Sequence, residues 1–209
     1  MKDLGPLHFF LGVEVRYFSG GIHLSQSKYA AELLSKTDMT CAKAINTPLE
    51  QKHGLQEATG ELVDTSLYRS IVGSLQYLTL TRPDITHAVN LASQFMQNPN
   101  SGHFQGVKRI LRYIKGTIHH GLRIISQSPL RLYGYSDADS GGCTTTRRST
   151  TGYSIYLGAN CISWASKKQT IVARSSAKAE YRTLASTAAE MTWITYILYD
   201  IGVYLKIVP

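Results

Sequence analysis

Apolar and polar positions alternate through residues 7–17, where Phe9, Leu11, Val13, Val15 and Tyr17 share one face at the two-residue period of a strand. Ser19-Gly20-Gly21 supplies a turn and residues 22–24 the returning strand, so a hairpin is predicted. The period then lengthens. Ser27 is a suitable cap for a helix whose stripe is Ala30, Leu33 and Leu34. No period is sustained across residues 37–64, which Gly54 and Gly60 interrupt, and a long surface connection is expected there. Three helices follow. Tyr68, Ile71, Val72, Leu75 and Leu78 form the stripe of the first. The second starts near Pro83-Asp84, carries Ile85, Ala88, Val89, Ala92 and Phe95 or Met96, and stops at Asn98-Pro99-Asn100. The third, over residues 103–115, faces a core with Val107, Ile110, Leu111 and Ile114 and ends at Gly116.

From Gly121 the period returns to two. Residues 122–125 and 132–137 are predicted strands, and residues 153–157 and 161–166 a hairpin around Gly158-Ala-Asn160. A long helix is predicted over residues 177–198, and the whole reads as a mixed α+β chain. No apolar run reaches the ~18 residues a membrane span needs. The opening Met-Lys-Asp-Leu-Gly-Pro lacks the apolar core of a signal peptide. An intracellular protein with no membrane partner is expected, its compartment (nuclear, cytoplasmic or mitochondrial) left open.

Composition changes the picture in one respect. A chain of 209 residues, 43% hydrophobic and 17% charged, buries a sizeable core, and its net charge of +8 favours an acidic partner, nucleic acid first. Residues 1–100 carry 8 Lys and Arg against 9 Asp and Glu, whereas residues 101–209 carry 14 against 5. The basic excess therefore lies in the C-terminal half. Cys41, Cys143 and Cys161 are odd in number and lack a Cys-x-x-Cys pair, which argues against structural zinc or a disulfide framework and for a reducing compartment.

Candidate chemistry concentrates in the same half. The strand that ends at Asp137 places Tyr133, Tyr135 and Asp137 on one face, and Asp139 joins them if the strand continues. In the long helix Glu180 lines up with Leu184, Thr187, Met191, Ile194 and Leu198, so its carboxylate is expected to point at the sheet from the first turn. A charge buried there needs a cation or a hydrogen-bond network to offset its desolvation. Divalent metal chemistry on a phosphodiester is the functional reading; a strand end and a decorated helix start are the plain one. Arg147, Arg148, Lys167, Lys168 and Arg174 put cations and hydroxyl neighbours on the loops between the two acids. On the third helix Lys108, Arg112 and Lys115 form a stripe that either tracks a phosphate backbone or is a solvated face.

Several segments carry a family resemblance. Met1-Lys-Asp-Leu-Gly-Pro-Leu-His-Phe-Phe-Leu-Gly-Val-Glu-Val15 is similar to the segment that follows the polymerase catalytic motif in copia-type retrotransposon reverse transcriptases. Tyr68-Arg-Ser-Ile-Val-Gly-Ser-Leu-Gln-Tyr-Leu78, Thr81-Arg-Pro-Asp-Ile85 and Leu111-Arg-Tyr-Ile-Lys-Gly-Thr117 resemble that family's thumb and connection. Tyr135-Ser-Asp-Ala-Asp139, Arg147-Arg-Ser-Thr-Thr-Gly152, Ile162-Ser-Trp164 and Ser175-Ser-Ala-Lys-Ala-Glu-Tyr181 resemble its RNase H portion. The resemblance implies a thumb/connection region over residues 1–120, with an N-terminal hairpin and helices. Over residues 121–209 it implies a truncated RNase H-like half-domain of three antiparallel strands and a long helix. It makes Asp137 and Glu180 metal-binding carboxylates, with Asp139 close enough to share the metal. The implied activity is Mg2+- or Mn2+-dependent hydrolysis of RNA in RNA/DNA hybrids.

Departures from the family pattern set a further expectation. The family's polymerase aspartates precede residue 1, and its third RNase H carboxylate, an aspartate, lies on the strand after the long helix, past Pro209. Glu190 and Asp200 sit ~15 and ~30 Å along a helix from Glu180, too far to stand in for that third carboxylate. Ser140 stands where the family has Trp, and Lys178 where an acid is common. The expectation is a catalytically incomplete Pol fragment, with a sheet edge and a helix face open to a complementing Pol chain. The alternative is a non-catalytic nucleic-acid-binding protein that uses the basic half.

Overall fold

The computed structural model describes residues 5–50 and 54–205. Residues 51–53 of the long connection and residues 1–4 of the first family segment lie outside them. The chain forms two compact units that divide between Arg123 and Ile124. The fold is mixed, with two antiparallel sheets and five α-helices among the described residues.

The first unit opens with β1 (Phe9–Phe10), β2 (Val13–Phe18) and β3 (Gly21–Ser25), and β4 (Gly121–Ile125), whose last two residues fall past the division, completes the sheet in the order β1-β2-β3-β4. The single strand expected over residues 7–17 is instead a second hairpin. Phe10 pairs with Val13, and the two residues between them, Leu11 and Gly12, have φ of 46° and 74°. Positive φ at both centres matches the turn to the right-handed twist of the strands. The turn breaks the face: Val15 is buried, while Phe9, Leu11 and Tyr17 are exposed. The second hairpin turns at Ser19-Gly20, where sequence placed it.

The helix α1 (Ser27–Lys36) buries Ala30, Leu33 and Leu34 as expected, but Ser27 is not its cap. The preceding residue, Gln26, makes no capping bond either. The Lys28 N–H donates instead to Glu14 Oε1 on β2 at 2.7 Å, so a carboxylate from the sheet satisfies the helix start. The helix α2 (Thr65–Leu78) is capped by Asp64 and buries Tyr68, Ile71, Val72, Leu75 and Leu78. A 3-10 turn, Pro83–Ile85, leads into α3 (Thr86–Ser93). The helix α4 (Ser101–Gly116) starts on a reciprocal cap. Asn100 Oδ1 accepts from His103 N–H at 2.9 Å, and the Asn100 N–H donates to His103 Nδ1 at 3.1 Å. Burial holds the imidazole below its ordinary pKa, so the accepting nitrogen stays neutral.

The stripes of these helices meet in one core built on Tyr68, Val72, Leu75, Val89, Ile110 and Ile114. A buried charge closes its end. Arg82 is 3% exposed and bonds Asp84, the Thr117 carbonyl and the Thr117 hydroxyl at 2.7–3.0 Å. Burial pushes the Asp84 carboxyl up, but the Arg82 guanidinium and the Tyr113 hydroxyl more than offset it, so its pKa is lowered.

The second unit contains β5 (Leu132–Ala138), β6 (Thr150–Leu157) and β7 (Asn160–Lys168), paired antiparallel in sequence order. The helix α5 (Ser176–Asp200) packs on this sheet. It approaches closely at Gly134, where an added Cβ would lie 3.2–3.4 Å from Met191 Sδ, Thr187 Cγ2 and Ile155 Cγ1. The apolar core of the unit is small: Leu132, Ile155, Ile194 and Leu198.

Candidate functional site

The phase of α5 decides where Glu180 points. The face that meets the sheet carries Ala179, Thr183, Thr187, Ile194 and Leu198. Glu180 and Leu184, expected on that face, are exposed. The cause is chemical. Sequence periodicity rewards apolar residues, but the N-terminal half of α5 buries hydroxyls. Thr183 Oγ1 meets Thr151 Oγ1 at 2.9 Å and donates to the Ala179 carbonyl within the helix. Gln169, itself buried, donates through Nε2 to Thr151 Oγ1 at 3.2 Å and to the Ala179 carbonyl at 3.0 Å. These bonds fix the rotation of the helix. Glu180 also lies beyond the first turn, which holds no acid; Ser175 caps the helix by accepting from the Lys178 N–H. The desolvation that would have demanded a cation at Glu180 is therefore absent.

The two acids still come together. Asp137, near the end of β5, and Glu180 line one open cavity of about 410 Å³, with Tyr181 and Leu184 on its rim. Both acids are exposed. Asp139 does something else. The strand ends at Ala138, and Asp139 Oδ1 accepts the Thr150 N–H at 2.6 Å while its own N–H donates to the Thr150 carbonyl. It clamps the base of the loop between β5 and β6. Among the described residues no group of three or more His, Cys, Asp or Glu is arranged to hold a metal.

Cys143 on that loop meets Lys168 at the end of β7, a contact that sequence reading passed over. Lys168 Nζ donates to Cys143 Sγ at 2.8 Å, and the Thr146 N–H lies 3.4 Å from the same sulfur. Burial raises the Cys143 pKa, but the two donors and the ammonium charge outweigh it and bring the value to about 7.

The predicted basic residues separate into three groups. On α4, Arg112 Nε donates to the Lys43 carbonyl at 2.7 Å and Lys115 Nζ to the Ala42 carbonyl at 2.6 Å, while Lys108 sits over the Phe104 ring. Two of the three thus hold the long connection in place. Arg109, which the stripe omitted, pairs with Glu50 at 2.6 Å on the same connection. Arg147, Arg148 and Arg174 are exposed, with Arg147 at a φ of 55°. Lys167 and Lys168 line a cavity of about 480 Å³ between β7 and α5. Arg182 joins them there, and no motif had singled it out.

No family model matches the sequence, and no solved structure matches it. Among described residues, no helix is long and apolar enough to cross a membrane. The chain is 52% identical over 193 residues to an uncharacterized mitochondrial protein of Arabidopsis thaliana, covering 92% of this chain and 80% of that one. It is 48% identical over 210 residues to the retrovirus-related Pol polyprotein from transposon RE1 of the same plant, with all of this chain and 14% of the polyprotein aligned. Over 217 residues it is 39% identical to the retrovirus-related Pol polyprotein from transposon TNT 1-94 of Nicotiana tabacum, with 99% of this chain and 16% of that protein aligned. The chain thus spans about a seventh of the polyproteins it matches end to end. Placed beside the eight sequence segments in their order, these identities settle the relationship: this chain belongs to the family of retrovirus-related Pol polyproteins of copia-type transposons.

Proposed function

We propose that the second unit is an RNase H-like module and that Asp137 and Glu180 form part of a metal-dependent site for hydrolysing RNA in RNA/DNA hybrids. The first unit then corresponds to the family's thumb and connection. The observation that carries this reading is the shared cavity of the two carboxylates, reached from strand and helix ends as far apart in sequence as residues 137 and 180. Two open carboxylates fit one Mg2+ or Mn2+, because such an ion takes one or two protein carboxylates and keeps water and phosphate oxygens as its other ligands. The bound ion would polarise the phosphodiester and a water. The β5–β6 pairing fixes the backbone that carries Asp137, and the α5–sheet hydroxyl network fixes the rotation of the helix that carries Glu180.

Asp139 stands outside the proposed metal set, because it does not line the cavity and its Oδ1 accepts the Thr150 N–H. With two carboxylates in the cavity, this chain binds hybrid and contributes to cleavage within a longer Pol chain. Cleavage of a labelled RNA/DNA hybrid in Mg2+ or Mn2+ tests this, with the chain alone and with the C-terminal remainder of a related Pol added in trans. The expected result is weak or no cleavage alone, restoration in trans, and loss of the restored activity in Asp137→Asn. Restored cleavage that survives Asp137→Asn would overturn the assignment.

A further inference from the structure

The cavity between β7 and α5 lies on the other flank of α5 from the acids. Residues 182, 185 and 186 line it, against residues 177, 180, 181 and 184 at the acid cavity. Its walls carry Lys167 and Arg182 as cations and Thr151, Thr170 and Ser186 as hydroxyls, with no Asp or Glu among them. The wall is built rather than incidental. Gln169 is 8% exposed, and its Nε2 ties Thr151 to the Ala179 carbonyl. Gln169 Oε1 is buried without a hydrogen-bond partner among the described residues. Arg182 is oriented by Nη1 donating to the Ile171 carbonyl at 3.3 Å, and Ser186 Oγ by donating to the Arg182 carbonyl at 2.9 Å. Lys168 turns its ammonium to Cys143, so Lys167 and Arg182 supply the charge.

We infer that this cavity seats one nucleotide, with its phosphate on Lys167 and Arg182 and Thr170 as a hydroxyl donor. A volume of about 480 Å³ suits a nucleotide better than a lone anion. An acid-free wall of Arg, Lys and Thr is the usual composition of a phosphate contact. Residues 124–209 carry nine Lys and Arg against five Asp and Glu, so a polyanion is drawn to the unit as a whole. The inference rests on the nucleic-acid reading above and adds a seat that the acid pair does not use.

The test is fluorescence anisotropy of a labelled RNA/DNA hybrid across a salt series. It compares the wild type, Lys167→Ala/Arg182→Ala, and Lys28→Ala/Lys36→Ala as an equal loss of charge elsewhere, with circular dichroism to check folding. The expected result is about tenfold weaker binding and a salt slope shallower by about 1 in the cavity variant, with much smaller changes in the control. Adenosine monophosphate is added as competitor. Displacement by millimolar nucleotide, lost in the cavity variant, assigns the seat to free nucleotides; binding sensitive to the variant but not to nucleotide assigns it to a strand. Equal behaviour of the two variants overturns the seat and leaves the nucleic-acid reading standing. No hybrid binding by wild type at low salt overturns both.

Discussion

In the first unit, α2, α3 and α4 close on aliphatic side chains and Tyr68, with almost no exposed surface at Val72, Leu75, Val107 and Ile114. In the second, the N-terminal half of α5 meets its sheet through Thr151, Gln169, Thr183 and Thr187, and aliphatic packing is confined to the other half of the helix. The two interfaces do different work. Hydrophobic burial is non-directional, so it stabilises the first unit without fixing any one side chain to within a fraction of a hydrogen bond. A hydroxyl network is directional and costs free energy when a member is left unpaired, so it holds a helix at one rotation. Burial stabilises the unit with the larger core, and the polar interface of the other sets the rotation of the helix that carries Glu180.

The largest effect expected from breaking this contrast is at Tyr68. Tyr68→Ala removes a fully buried ring and the hydroxyl bond to the Ala92 carbonyl, and should cost about 4 kcal/mol in chemical denaturation. Ile194→Ala in the smaller core should cost about 2 kcal/mol, because that site already touches solvent. Hydrogen exchange resolved by residue assigns each loss to its own unit; a loss shared evenly between units would blur the contrast. Next, Arg82→Ala leaves Asp84 and Thr117 without their buried partner and should cost about 3 kcal/mol. The Asp84 carboxyl is depressed in the folded state, so its share of that stability is complete above the unfolded carboxylate pKa. It is lost as pH falls through the folded value, and denaturation at pH 7 and pH 3 reads the difference.

A smaller loss, about 1 kcal/mol, is expected for Thr183→Val, which keeps the shape and removes the bond to Thr151. Its sharper consequence is on Glu180. If the network sets the helix rotation, hybrid cleavage restored in trans should fall more in this variant than in Ile194→Ala, although the stability loss is smaller. Least in stability terms is Lys168→Met. The Cys143 thiolate, followed by its absorbance at 240 nm, should titrate with a midpoint of about 7 in the wild type and shift upward in the variant. The folded pKa lies below the unfolded one, so the native state holds fewer protons between the two values. The stabilisation from the pair is therefore present above the unfolded thiol pKa and lost as pH falls through about 7.

The helices of the first unit were legible in sequence because their buried faces are apolar: every stripe residue named for α2 is buried. The β1–β2 turn was not, since alternation runs unbroken through Leu11 and Gly12, and a two-residue turn leaves no gap in a two-residue period. Glu180 failed for a related reason. Threonine scores as polar, so the buried Thr183 was invisible and the face was read one residue late at Glu180 and Leu184, although Thr187, Ile194 and Leu198 are buried as expected. Asp137 and Glu180 line one cavity, whereas Asp139 lies outside it with Oδ1 accepting the Thr150 N–H, a local bond that alternation does not reveal. Arg112 and Lys115 looked like a free stripe because their partners, the carbonyls of Lys43 and Ala42, are backbone groups some seventy residues away. Backbone acceptors at that separation leave no mark in a sequence pattern.

The reciprocal cap on α4 has a consequence for the conditions under which the first unit holds together. An imidazole nitrogen accepts a hydrogen bond only while the ring is neutral, and the ring of His103 is buried and stacked on Phe95 at 3.9 Å. Protonation turns that acceptor into a donor aimed at the Asn100 N–H, and it places a cation at the positive end of a helix whose buried face belongs to the core. Because the folded pKa is depressed, the neutral ring supports the fold above the ordinary histidine pKa and withdraws that support as pH falls through the folded value. Acid is thus a denaturant with an address: it loosens α4 from its first turn while the aliphatic contacts further along are still intact.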